Sequence, residues 1–95
     1  MIGLRIALRS KPGKMTEVVQ TLDSLSSAVR TQLGCLGFTF RLDHEGRTIE
    51  VLQSWSDQAA LDAYLGSREH HALVGAMETL CEEHSLSITT AGTPE

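Results

Sequence analysis

Residues 34–55 read GCLGFTFRLDHEGRTIEVLQSW, and the pattern of this stretch decides the fold. From Leu36 the apolar side chains fall on alternate positions, Leu36, Phe38, Phe40 and Leu42, with Gly37, Thr39 and Arg41 between them. A period of two marks a strand with one buried face. Asp43-His44-Glu45-Gly46 is a short polar segment of turn-forming composition. The return strand, Thr48–Trp55, puts Ile49, Val51, Gln53 and Trp55 on one face and Glu50, Leu52 and Ser54 on the other. The whole is a β-hairpin closed by the chain's one Trp, with a polar residue, Gln53, on a face that otherwise reads as core.

Working outward, residues 2–9 alternate in the same way, Ile2, Leu4, Ile6 and Leu8 against Gly3, Arg5, Ala7 and Arg9. Lys11-Pro12-Gly13-Lys14 breaks that strand and leads into a helix. Met15, Val18, Val19, Leu22, Leu25, Val29 and Leu33 recur at spacings of three and four. At 100° per residue they occupy an arc of about 120°, a core-facing stripe. Gly34 is expected to end this helix. Ser26 falls inside the stripe, and a hydroxyl bond to the Leu22 carbonyl is the ordinary fate of such a residue. After the hairpin, Ser56 is placed to cap a short helix over 57–65 with Ala60, Leu61, Tyr64 and Leu65 inward. Ser67 is placed to cap a second, running to about Glu83, with Leu73, Val74, Met77, Leu80 and Cys81 on its stripe. His70 points into that stripe and His71 to its flank. Leu86, Ile88 and Thr90 then alternate as a last strand. The order β-α-β-β-α(α)-β is the ferredoxin-like split βαβ arrangement: α+β, a four-stranded antiparallel sheet with its helices on one face.

Ninety-five residues make one domain, placed at 1–91, with a tail at 92–95 expected to be disordered. A domain this small buries only ~60–65% of its unfolded surface, so a partner subunit is the ordinary additional source of stability. The net charge of −4 is spread along the chain without a Lys/Arg cluster, which argues against nucleic acid and anionic membrane as partners. Arg5 and Arg9 interrupt the N-terminal apolar run, and no segment approaches the ~18 apolar residues of a membrane span. With Cys35 and Cys81 as an isolated pair of thiols, a cytoplasmic location is expected.

The KPGK turn, the GCLGF strand start and EVLQSW-SDQAALDAYLGS together resemble the antibiotic biosynthesis monooxygenase family. The resemblance runs from about Leu4 to Ile88. It implies a dimeric α+β barrel in which the sheets of two copies pack face to face. It also implies an activity among those of the family: cofactor-independent oxidation of phenols or quinols, haem degradation, or isomerisation of a signalling sugar. This chain departs from the family at three places. The polyketide-oxidising members carry an Asn four residues before the strand Trp, where this chain has Val51. Many members carry His nine residues after that Trp, where Tyr64 stands. The haem-degrading members have Trp there and His ten residues later, the positions of Tyr64 and Val74, so that branch is disfavoured.

A cofactor-free oxygenase needs an apolar pocket for a planar phenol and a group to take the phenolic proton. Strand parity and helix angle turn the required residues inward. Phe38, Phe40, Val51, Gln53 and Leu61 would bind the substrate; Tyr64 and Trp55 would hydrogen-bond its oxygens; His70 would be the general base. The reading requires neither metal nor other cofactor, and its partners are a small aromatic substrate and a second copy of the chain. Each residue also has a plain structural account. Trp55 can be a core aromatic, His70 a satisfied core histidine, and Tyr64 a residue carrying its hydroxyl to the helix rim. His44, His71 and His84 read as solvated, Cys81 as a small core residue, and Cys35 as a strand-end thiol. A non-catalytic small-molecule-binding or stress-related domain is therefore the competing expectation, which the loss of the Asn at Val51 favours, with an isomerase a smaller third.

Overall fold

The hairpin forms in the register that its pattern requires. In the computed structural model, which describes residues 1–43 and 47–90 (Thr90 by its backbone alone), Phe38 pairs with Gln53, Phe40 with Val51 and Leu42 with Ile49. The hairpin-loop residues His44, Glu45 and Gly46 and the expected tail at 92–95 lie outside the described residues. The elements in chain order are β1 (Ile2–Ser10), α1 (Met15–Arg30), β2 (Cys35–Leu42), β3 (Thr48–Trp55), α2 (Gln58–Leu65), α3 (Arg68–Leu80) and β4 (Cys81–Thr90). The four strands form one antiparallel sheet in the order β2-β3-β1-β4. This is the expected ferredoxin-like α+β arrangement. Ile2, Leu4, Ile6 and Leu8 of β1 and Ile49 and Val51 of β3 are buried beneath α1, α2 and α3, with Val18, Leu22, Val29, Leu61 and Leu73 facing them. Each such side chain taken fully out of water contributes roughly 1.5–3 kcal/mol.

Several boundaries differ from expectation, each for a local reason. Leu36 is 59% exposed because the β2–β3 register shifts between Cys35 and Gly37. The extra residue in that bulge turns Leu36 off the helix-facing side while Cys35 pairs with Trp55. Helix α1 stops at Arg30, one turn early, so Leu33 is not on its stripe and is 94% exposed. Gly34, at φ +84, then swings the chain into β2, and its carbonyl accepts from Ser56 N at 2.8 Å. Ser26 bonds back to the Asp23 carbonyl at 2.9 Å and not to that of Leu22. Asp57, not Ser56, caps α2, its carboxylate accepting from Ala60 N at 2.9 Å; Ser67 caps α3 as expected. Helix α3 ends at Leu80, and Cys81 is the first residue of β4 because it pairs with Ser10 of β1. Leu86 and Ile88 lie opposite Ile6 and Leu4, hence on the helix-facing side, yet remain 44% and 48% exposed on the edge strand.

The opposite face of the sheet is uncovered in the single chain. Arg5, Thr39, Arg41 and Leu52 are exposed there, and the Glu50 carboxylate lies between the Arg5 and Arg41 guanidiniums, 2.9 Å from Arg41 Nε. The Arg41 hydrogen bond, with the positive charge of both arginines, holds the Glu50 carboxyl below its ordinary range. At the β2 edge, Arg30 reaches across from α1 and donates from Nε and Nη2 to the Phe38 carbonyl, at 3.2 and 2.9 Å.

Candidate functional site

Trp55 and Gln53 are two residues apart on β3, so both face the helices, and both are buried. At that spacing the indole N–H of Trp55 donates to Gln53 Oε1 at 3.0 Å. Gln53 Nε2 in turn donates to the Tyr64 hydroxyl oxygen at 3.0 Å. Tyr64 is brought there by α2, where Leu61, three residues earlier, packs on the same buried face. Its ring stacks on Trp55 with centroids 4.8 Å apart and an interplanar angle of 26°. His70, in the first turn of α3, meets Tyr64 edge-on, centroids 5.0 Å apart. Trp55, Gln53, Tyr64 and His70 therefore form one continuous buried row.

The substrate-binding candidates sit unevenly around this row. Phe38 is buried and pairs directly with Gln53, so it adjoins the row from β2. Val51, buried, and Phe40, half-buried, pair with each other one step farther along the strands, where they extend an apolar floor. Leu61 is fully buried. The surface hollows touch this group only at Phe38, which borders one with Arg30 and Cys35, and at Gln53, which borders one on the open sheet face. One lies between the α1–β2 connection and α2, lined by Leu33, Gly34, Ser56, Asp57 and Ala60; another lies on the open sheet face, around Gly3, Arg5, Leu52 and Thr89. Neither is bordered by Trp55, Tyr64 or His70.

Electrostatics separates the two titratable groups of the row. Burial pushes the Tyr64 phenol up to about 12, against a smaller opposite pull from the Gln53 hydrogen bond. Tyr64 is thus a neutral hydroxyl at any ordinary pH. Burial also lowers His70 below the ordinary histidine range, with His71 adding to the effect, so its imidazole is neutral near pH 7. Its Nδ1 is buried and has no hydrogen-bond partner among the described residues. A neutral imidazole with an unengaged nitrogen is chemically a proton acceptor.

The row itself went unread in the sequence, although its elements were singled out. The available signal was the Gln53–Trp55 spacing, which places a donor-only indole beside an amide on one face. The sequence expectation also gave the Trp55 N–H to a substrate oxygen, whereas it is spent on Gln53. Among the described residues no three His, Cys, Asp or Glu side chains converge as a metal site, and Cys35 and Cys81 are free thiols. Among the described residues no helix is long and apolar enough to cross a membrane.

Fold and row together define a ferredoxin-like α+β protein with an aromatic–amide–histidine group between sheet and helices. The sequence profile of the antibiotic biosynthesis monooxygenase family matches residues 1–76, and the chain belongs to that family. Among solved structures it is similar to Rv0793 of Mycobacterium tuberculosis, with a TM-score of 0.89, 14% identity, and 98% of this chain and 96% of that one covered. The Shewanella oneidensis protein SO0527 gives a TM-score of 0.85 at 22% identity, covering 93% and 87% of the two chains. A structure named antibiotic biosynthesis monooxygenase gives 0.86 at 19% identity, covering 98% of this chain and all of the other. At these identities the likeness carries the fold. No curated protein matches the chain.

Proposed function

We propose that the protein is a cofactor-independent monooxygenase of a phenolic or quinol substrate, with His70 as general base. Its membership of the monooxygenase family supports the reaction type, and the observation that carries the reading is the buried, unpartnered Nδ1 of His70, whose ring meets that of Tyr64. The phenol gives its proton to His70 Nδ1, where the neutral imidazole accepts it. The phenolate passes one electron to dioxygen, and the resulting substrate radical and superoxide combine to form a C–O bond. The peroxide takes the proton back from His70 and loses water as the O–O bond breaks, leaving a carbonyl on that carbon. One oxygen atom ends in the product and the other in water, and dioxygen is the oxidant throughout. Tyr64 donates a hydrogen bond to the substrate oxygen, Trp55 supplies a ring wall, and Phe38, Phe40, Val51, Gln53 and Leu61 complete the lining. The protein works as a cytoplasmic homodimer joined through the open sheet face.

The test is oxygen consumption by purified protein, stripped of metal and flavin, across a panel of quinols and polyphenols. Uptake above the buffer rate is expected for at least one of them. His70→Ala should lower its kcat by ~10²–10⁴, the usual worth of a general base. One observation favours the second reading, a non-catalytic binding domain: the Trp55–Gln53–Tyr64 hydrogen bonds are made within the chain, as they would be in a purely structural core. Tight binding of an aromatic, with oxygen uptake no faster than buffer over the whole panel, would decide for it.

A further inference from the structure

The buried row is sealed. Trp55 and Tyr64 have no exposed surface, His70 keeps 8%, and none of the three lines the hollows beside the α1–β2 connection. A ligand can therefore reach the row only where the protein gives way. The cover can be followed around the row contact by contact. On one side, residues 31–34 connect α1 to β2, and the Gln32 carbonyl accepts from Cys35 N at 3.0 Å. Cys35 in turn pairs with Trp55 in the sheet. On the other side, Glu69 precedes His70 in the first turn of α3. Between them, Gln32 Nε2 donates to Glu69 Oε1 at 2.9 Å. Among the described residues no other hydrogen bond joins this connection to α3. Cys35 and Glu69 also lie near enough to Tyr64 to add, after burial, to the rise in its pKa.

The links of this circuit differ in what holds them. Cys35 and Trp55 are joined by the sheet ladder. The α2–α3 side is fixed by Ser67, whose hydroxyl donates to the Tyr64 carbonyl at 2.6 Å and accepts from His70 N at 3.3 Å. The Gln32–Glu69 link is a single bond between two long, half-buried side chains. Water can replace the partner of each when they part, so this link yields most cheaply. The connection also has room to move. Hollows lie on both sides of it, one against α2 and one beside Arg30 and Phe38, and Leu33 within it is 94% exposed. We propose that the Gln32–Glu69 hydrogen bond is the latch of an entrance to the buried row, between the α1–β2 connection and the first turn of α3. Closed, it keeps water from Tyr64 and His70; open, it admits a small ligand to them. The latch serves either reading of the site, oxidising or only binding, since both need a ligand inside.

Trp55 is the chain's one tryptophan, so its indole N–H gives a single resonance whose exchange with deuterium reads the opening. In the wild type this exchange should not depend on urea well below the unfolding transition, because a local opening exposes little surface. Gln32→Ala should speed it by about 10-fold, the worth of a hydrogen bond to a charged group at a half-buried site, and should keep that independence. Glu69→Ala should act alike, and the double variant should exchange no faster than either single one. Glu69→Gln, which keeps an accepting oxygen, should stay closer to the wild type. Acrylamide quenching of Trp55 fluorescence should rise in the two alanine variants, since the entrance passes more than water. Glu69→Ala decides the matter if Gln32→Ala does not fold. Wild-type exchange that climbs with urea in step with global unfolding would overturn the proposal, as would variants that exchange as slowly as the wild type. So would faster exchange without faster quenching, because water alone would then be passing.

Discussion

At the scale of single residues, His70 combines burial, an unengaged nitrogen and a lowered pKa. The lowered pKa makes stability depend on pH. An unfolded histidine takes up its proton near pH 6.5, while the folded imidazole resists protonation until a lower pH. Between the two values the unfolded chain binds more protons, so stability is lost as pH falls through that window and is level above it. Thermal melts of wild type and His70→Gln between pH 8 and 5 should therefore differ in slope below about pH 6.5. The wild-type Tm falls more steeply there, and parallel curves would mean that His70 is not buried neutral. The same property would place the acid limb of oxygen uptake below the ordinary histidine range, with a plateau near neutrality. Tyr64, at about 12, adds no limb below pH 10.

Elements are held by a few positions at which backbone and packing cannot be separated. Leu22 and Val29 are fully buried on α1, and Ser24 and Thr31 are exposed. Leu22→Ala should cost ~2–5 kcal/mol through the cavity it leaves. Ser24→Ala and Thr31→Ala should stay within ~0.5 kcal/mol. Urea titration of the three variants checks the helical phase, which would be wrong if all three midpoints agreed. Glycine supplies a second contrast. Gly13 and Gly34 both sit at positive φ, +78 and +84. A Cβ on Gly13 would meet open space, so Gly13→Ala should cost about 1–2 kcal/mol, the backbone term alone. A Cβ on Gly34 would overlap the Ala60 methyl and lie 2.8 Å from Ser56 Oγ, so Gly34→Ala should cost distinctly more. The same titrations read the difference. The close approach explains why the β2 entry and the start of α2 depend on one residue that sequence reading assigned only to the end of a helix.

The whole molecule leaves one face of its sheet open, with the Arg5–Glu50–Arg41 group at its centre and Leu52 beside it. A second copy packed on that face should bury more than ~1,200 Å² in total. Sedimentation at micromolar concentration should give a dimer, and Leu52→Arg, which adds a further cation to the face, should shift it toward monomer. A monomer under those conditions would remove the dimer from the reading. Exposed ion pairs contribute little to stability, so the group matters for how two faces would register more than for how firmly one chain folds.

Sequence alone determined the strands, the helical stripes and the topology. Those rest on periodicity, and burying an alternating or a 3.6-residue pattern has few solutions. It also placed Trp55, Gln53, Tyr64 and His70 on inward positions, because parity and helix angle follow from spacing alone. What only the tertiary structure decided is where periodicity is interrupted and which polar atoms meet. Leu36 leaves the core because pairing with β3 inserts a bulge, and Cys81 begins a strand because Ser10 of β1 pairs with it. Leu33 leaves the stripe because the chain must turn at Gly34 to reach β2. The donor–acceptor row joins residues from β3 and α2 and ends against α3, and the unpartnered His70 Nδ1 exists only once packing has excluded water from it.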